Sequence, residues 1–132
     1  IAIETKYGAI DDLETVYGDP FDFIELMNNA SYILTDSFHG VAFSINLEKQ
    51  FVAFKRFRDD EESCQNSRIY NILKKTSLED RLISPDKSVS FLDDNLIDYN
   101  LVRPLLNKER KLSLKFLSSS ITSVLNNKYS KK

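Results

Sequence analysis

The chain has 132 residues, is 42% hydrophobic and 29% charged, and carries a formal net charge of −2. That length is one domain able to bury a real core, and the mild acidity gives no reason to expect nucleic acid or an anionic membrane as the main partner. No apolar run approaches the roughly 20 residues needed to span a bilayer, and a single cysteine (Cys64) with a single histidine (His39) excludes an internal disulfide framework and a structural zinc site. No metal and no cofactor is expected, and a reducing, cytoplasmic setting suits this inventory.

The chain opens on Ile1 with no signal-peptide pattern and reads as a piece of something longer. In chain order, Thr15-Val16-Tyr17 predicts a short strand closed by Gly18. Asp19 is a good N-cap and Pro20 suits a first helical position, where its missing N–H costs nothing. Phe23, Ile24 and Met27 share one helical face, so a helix is expected to about Asn28 or Asn29. Residues 31–35 (SYILT) have the length of a buried strand. Asp36-Ser37 predicts a loop and Phe38 to Asn46 a second helix, and residues 50–54 (QFVAF) read as a second strand. Residues 55–67 are polar and heavily charged and predict a surface loop. Ile69, Ile72 and Leu73 then predict a helix from Asn66 to Lys74, Leu78 to Leu82 a turn, and residues 83–98 irregular chain. The C-terminus is expected to be helical: Leu114, Leu117, Ile121, Val124 and Leu125 fit steps of three and four. That stripe is read as core packing, or as cover for surface shared with a second domain, and residues 126–132 as a frayed tail.

Strands alternating with helices imply an α/β fold with a small parallel sheet and right-handed crossovers. Ligands of such sheets bind outside the carboxyl ends of the strands. The stretch from Thr35 to Gly40 (TDSFHG) lies at such an end. The first N–H groups of the following helix have no internal partners and favour an anion. Ser37 can donate a hydroxyl, Gly40 leaves room for a ligand or neighbouring backbone, and His39 can be donor, acceptor or cation near neutral pH. Asp36 would repel an anion and is assigned to capping the helix or orienting His39. The same pattern also suits a structural histidine behind a common Asp-Ser cap, so the residues alone give an anion site of weak specificity.

The stretch from Ala30 to Phe54, with T-D-S-F-H-G at its centre, resembles the signature region of the polysaccharide pyruvyl transferase family. Asn66-Ser67-Arg68-Ile69 and the L-x-D-R-L run at Leu78 to Leu82 extend the resemblance, which is drawn over residues 17 to 125. It implies the C-terminal, donor-binding half of a two-domain, GT-B-like enzyme with facing Rossmann-like halves and the active site between them. The implied reaction transfers pyruvate from phosphoenolpyruvate to a sugar diol as a ketal, in polysaccharide or cell-surface glycan biosynthesis. The implied partners are phosphoenolpyruvate, a saccharide acceptor and an N-terminal domain. The resemblance also leaves room for peripheral association with membrane-bound glycan intermediates, and implies little activity for this piece alone.

His39 matches the family histidine that contacts the donor. Where some members read R-L-H, this chain reads Ser37-Phe38-His39, so another cation is needed for the phosphate; Arg68, Lys55 and Arg56 are the candidates, or residues of the N-terminal half. Lys55, Arg56 and Arg58 follow a strand end but are balanced by Asp59 to Glu62, which fits a solvated loop or a lid over the donor. Two rival readings stay open: the donor half of a nucleotide-sugar glycosyltransferase, and a non-catalytic α/β interaction module. The first wants a Gly-rich diphosphate cradle and the chain has three glycines; the second, if receiver-like, wants an acidic cluster for magnesium.

Overall fold

A computed structural model describes residues 2–3, 15–16, 18–55, 66–83 and 95–129. Strands β1 (Ala2–Ile3) and β2 (Thr15–Val16) pair in parallel. Next come α1 (Pro20–Asn29), β3 (Tyr32–Thr35), α2 (Phe38–Asn46) and β4 (Gln50–Phe54). After them come α3 (Asn66–Thr76), a 3₁₀ turn (Glu79–Arg81), β5 (Leu82–Ile83) and α4 (Tyr99–Tyr129). Strands β3, β4 and β5 form an open parallel sheet with β4 in the middle; Thr35 lies opposite Ala53, and Ala53 opposite Leu82. The fold is α/β, a small parallel sheet flanked by helices.

Local chemistry explains most boundaries. The Asp19 carboxylate accepts from the N–H groups of Phe21 (2.7 Å) and Asp22 (3.0 Å), and the Asp22 carboxylate accepts in return from the Asp19 N–H at 2.8 Å. That reciprocal cap starts α1 where Asp19-Pro20 predicts it. Strand β4 is buried on both faces at Phe51, Val52 and Ala53, as the central strand of a covered parallel sheet must be. Helices α2 and α3 end alike, with a residue in the left-handed region: Glu48 and Ser77, each with φ 56°. The Lys49 N–H reaches back to the Ser44 carbonyl (2.8 Å) and the Leu78 N–H to that of Leu73 (2.9 Å), closing the last turns in the Schellman manner without glycine. Helix α3 therefore runs to Thr76, past the expected Lys74. The buried Thr76 hydroxyl donates to the Ile72 carbonyl at 2.8 Å.

The core gathers Val41 and Ile45 of α2, Phe51 and Ala53 of β4, and Ile69 and Leu73 of α3 with Ile97, Tyr99 and Val102. The last three arrive through specific polar contacts. The Gln50 side chain accepts from the Ile97 N–H (2.7 Å) and donates to its carbonyl (3.2 Å), imitating a strand partner. The Tyr99 hydroxyl donates to the Ser44 carbonyl (3.3 Å) and also meets the Lys49 carbonyl.

Two expectations change. Leu82–Ile83, where the expected turn hands over to the stretch expected to be irregular, pairs with β4 and buries Ile83; two residues are too few to show a period. Residues 84–94, and 56–65 with Arg56, Arg58 and Cys64, lie outside the described residues. The C-terminal stripe is not core packing within the described chain: Leu114, Leu117, Ile121 and Val124 are 62%, 53%, 51% and 66% exposed. Helix α4 has 31 residues, about 46 Å at the usual rise, and it outruns the body. Periodicity reports that a helix has an apolar face, not what covers it.

Candidate functional site

The carboxyl ends of β3 and β4 are neighbours in the sheet, and two residues, Asp36 and Ser37, separate β3 from α2. Thr35, the last residue of β3, organises this handover. Its hydroxyl oxygen accepts from the Ser37 N–H at 3.1 Å. Its side chain also fills the space in front of Gly40: a Cβ added there would lie 2.2 Å from Thr35 Oγ1 and 2.9 Å from Thr35 Cβ. Gly40 is buried. Of the two expectations for Gly40, a ligand or a neighbouring part of the chain coming close, the described structure places the Thr35 side chain there. Thr35 was missed as a site residue, although T-D-S before a helix is the signal that could have marked it.

Ser37 is the N-cap residue of α2, in extended conformation, and its hydroxyl makes no capping bond. Asp36 therefore sits one position outside the cap. The first intrahelical bond runs from the Val41 N–H to the Ser37 carbonyl (3.0 Å). The leading N–H groups of α2 thus receive no oxygen from their own cap, unlike those of α1. They leave the partial positive charge of the helix end uncompensated by that side chain.

His39 stands on the first turn of α2 and is exposed. Its ring meets Phe38 edge-on, with centroids 5.7 Å apart and planes at 72°. The Arg68 guanidinium carbon lies 5.4 Å from the centroid of the same Phe38 ring, within cation–π range. Phe38 thus links the exposed imidazole to a permanent cation delivered by the first turn of α3. The structure brings together Ser37, Phe38, His39 and Arg68, residues separated by about thirty positions in the chain.

Lys55 belongs to a neighbouring feature. It follows the end of β4, and its ammonium lies 5.4 Å from the Tyr70 ring centroid. Lys55 and Tyr70 line an open cavity of about 250 Å³ with Leu73, Glu79 and Leu82, between α3, the 3₁₀ turn and the sheet edge. Tyr70 and Glu79 were not singled out from sequence, since each reads as an ordinary exposed helix or turn residue. Arg81, in the L-x-D-R-L run, is buried; its guanidinium donates to the Asn95 carbonyl at 2.5 Å and its Nε is 3.3 Å from Asp80. It secures the chain leading into α4.

The far end of α2 is tied down. Arg103 donates to both Glu48 carboxylate oxygens (2.6 and 2.7 Å), and Arg110 to Asn46 Oδ1 (2.6 Å). The Arg103 hydrogen bond holds the Glu48 carboxyl below its ordinary range. Burial pushes the Tyr99 hydroxyl above the usual tyrosine value, with the Glu48 charge adding to it. Among the described residues no group of three or more His, Cys, Asp or Glu could hold a metal ion. No helix among them is long and apolar enough to cross a membrane.

Residues 4–56 match the family model of polysaccharide pyruvyl transferase. The match takes in β2, α1, β3, α2 and β4, and with them Thr35 to Gly40; it stops short of α3, Arg68 and the L-x-D-R-L run, so it is narrower at its C-terminal side than the resemblance drawn from sequence. No curated protein and no solved structure matches the chain. The matched segment points to a transferase of polysaccharide biosynthesis.

Proposed function

We propose that this chain supplies the donor site of a pyruvyltransferase, holding phosphoenolpyruvate at the open N-terminus of α2 while pyruvate passes to a sugar diol as a ketal. The observation that carries the reading is the convergence of Arg68, Phe38 and the exposed His39 on a helix start whose own cap side chain makes no hydrogen bond. The family match over residues 4–56 supports it.

A compact polyanion needs fixed donors and positive charge. In this reading the leading N–H groups of α2 and the Ser37 hydroxyl receive donor oxygens. Arg68, held against Phe38, supplies the charge that an Arg at position 37 would otherwise give. In the reaction the donor methylene carbon takes a proton and a sugar oxygen bonds to C2. The C2–O bond to phosphate then breaks, and the second sugar oxygen bonds to C2 to close the ring. The protons of the two hydroxyls balance the one added at carbon and the one leaving with phosphate. His39 stands beside the departing phosphate, where an imidazolium stabilises the growing charge. The finer architecture, two facing Rossmann-like halves in a GT-B-like arrangement with this chain as the donor half, belongs to the same proposal.

His39→Ala in the active enzyme should lower turnover by about 10²–10⁴-fold, the usual range for a proton-transfer or charge-stabilising histidine. Turnover near that of the parent would reduce His39 to a surface residue. A rise in melting temperature with phosphoenolpyruvate, absent with nucleotide sugars, separates this reading from the glycosyltransferase one.

A further inference from the structure

The cavity lined by Lys55 and Tyr70 lies outside the proposed donor site, and its chemistry differs from that site's. Lys55 follows the end of β4, Leu82 opens β5, Tyr70 and Leu73 come from α3, and Glu79 comes from the 3₁₀ turn. Lys55 places the cavity at the carboxyl edge of the parallel sheet, the edge at which α2 also starts. Ligands of such sheets bind at that edge.

The described lining residues select a ligand class. Leu73 and Leu82 contribute aliphatic surface, and Tyr70, 38% exposed, adds an aromatic ring. Two charged groups of opposite sign complete the set: the Lys55 ammonium, with three donors, and the Glu79 carboxylate, which accepts. A polyanion would meet Glu79 as well as Lys55, and a cation would meet Lys55 as well as Glu79, so neither gains from the pair. A purely apolar ligand would take both charged groups from water and return no hydrogen bond. The volume, about 250 Å³, lies below the roughly 300–1,000 Å³ of pockets that bury drug-sized ligands, so it suits one ring and not a whole nucleotide sugar.

An uncharged sugar ring answers each demand. Its C–H groups form an apolar face with a slight positive charge, which packs on aliphatic carbon and on the negative face of an aromatic ring. Its hydroxyls both donate and accept, so one can donate to Glu79 while another accepts from Lys55. Both contacts are charge-assisted and stronger than neutral ones. Position adds a second argument. Tyr70 follows Arg68 by two residues on α3, so their side chains leave the helix about 200° apart at 3.6 residues per turn. The start of α3 thus sends a cation to Phe38 in one direction and an aromatic wall to the cavity in the other.

We propose that this cavity binds one uncharged pyranose ring. Its place in the reaction, which rests on the pyruvyltransferase reading, is to hold a sugar unit of the acceptor beside the donor site.

An NMR titration of the chain with methyl β-glucopyranoside, methyl β-galactopyranoside and methyl α-mannopyranoside tests this. At least one glycoside should shift the signals of Tyr70, Leu73, Glu79 and Leu82 together. Tyr70→Ala and Glu79→Ala should each weaken its binding about fivefold or more, the equivalent of one net hydrogen bond. Both residues are exposed, and an unchanged amide spectrum elsewhere checks the fold. Arg68→Gln should leave sugar affinity within about twofold, because Arg68 faces Phe38 and does not line the cavity. No shift at these residues with any of the three glycosides up to about 0.1 M overturns the proposal. So does binding that Tyr70→Ala and Glu79→Ala leave unchanged. Sugar binding here without phosphoenolpyruvate shifts at Phe38 to Gly40 would uphold the sugar site and remove its place in pyruvyl transfer. The reverse pattern would uphold the donor site and remove the sugar site.

Discussion

The two ends of α2 are built on opposite plans. Its C-terminal end is closed by a Schellman turn at Glu48, roofed by the Tyr99 hydroxyl, and fastened to α4 through Glu48–Arg103 and Asn46–Arg110. At its N-terminal end Thr35 fixes the turn, Ser37 makes no capping bond, and the half-buried Phe38 stands between the exposed residues His39 and Arg68, in ring contact with each. Anchoring one end rigidly lets the other forgo a cap, which would ordinarily contribute about 1 kcal/mol, without the helix fraying. A self-satisfied helix start such as that of α1 has already spent its leading donors on Asp19; those of α2 receive no oxygen from the Ser37 side chain.

The difference can be broken at several points. The largest stability effect is expected at Gly40. Gly40→Ala forces a methyl into the Thr35 side chain and should cost about 1–3 kcal/mol, the usual penalty for overpacking a site that cannot relax. Combining it with Thr35→Ala should recover part of that loss in urea unfolding, because the two residues share the space. At the anchored end, Tyr99→Phe removes the hydroxyl from two backbone carbonyls and should cost about 1–2 kcal/mol. The same hydroxyl gives the chain an alkaline signature. Burial favours its neutral form, so the folded protein resists ionisation that the unfolded chain undergoes from the ordinary value of 10.0. Stability from Tyr99 should be complete below that pH and fall as pH rises above it, and a stability–pH curve of Tyr99→Phe should lack that component.

The helix starts themselves should respond differently. Asp19→Ala should cost about 1 kcal/mol, whereas Ser37→Ala should stay within about 0.5 kcal/mol in stability yet weaken donor binding. The smallest effect belongs to Glu48→Gln, because that ion pair lies in solvent. Its carboxyl is held below the ordinary range, so its contribution should be present at neutral pH and vanish as pH falls through that lowered value. Added salt should shrink it too, which melting curves at pH 7 and in acid can check.

Much of this architecture was written in local chemistry. Asp19-Pro20 marks the start of α1, and the apolar runs at 32–35 and 50–54 mark β3 and β4 because short-range preference and burial agree there. His39 as a solvent-facing group at a strand–helix junction was legible for the same reason. The roles of Gly40 and Thr35 were not, since the close approach of one side chain to another residue's backbone leaves no periodic trace. Arg68 was one candidate among several cations until the packing of α3 on α2 brought it over Phe38. Lys55 had equal claim from sequence, and only the fold turns it toward Tyr70. The apolar stripe of α4 shows the reverse case: its helical period is correct, but period alone carries no information about the surface opposite.

The central claim is that the uncapped start of α2 receives an anionic donor. An amide NMR titration with phosphoenolpyruvate tests it most directly. The largest shifts should fall on the N–H groups of Phe38, His39 and Gly40, saturate together, and weaken about tenfold when Arg68 is replaced by Gln, as expected for one lost charge-assisted contact of about 1.4 kcal/mol. Shifts confined to other parts of the chain, or unaffected by Arg68→Gln, would contradict the account.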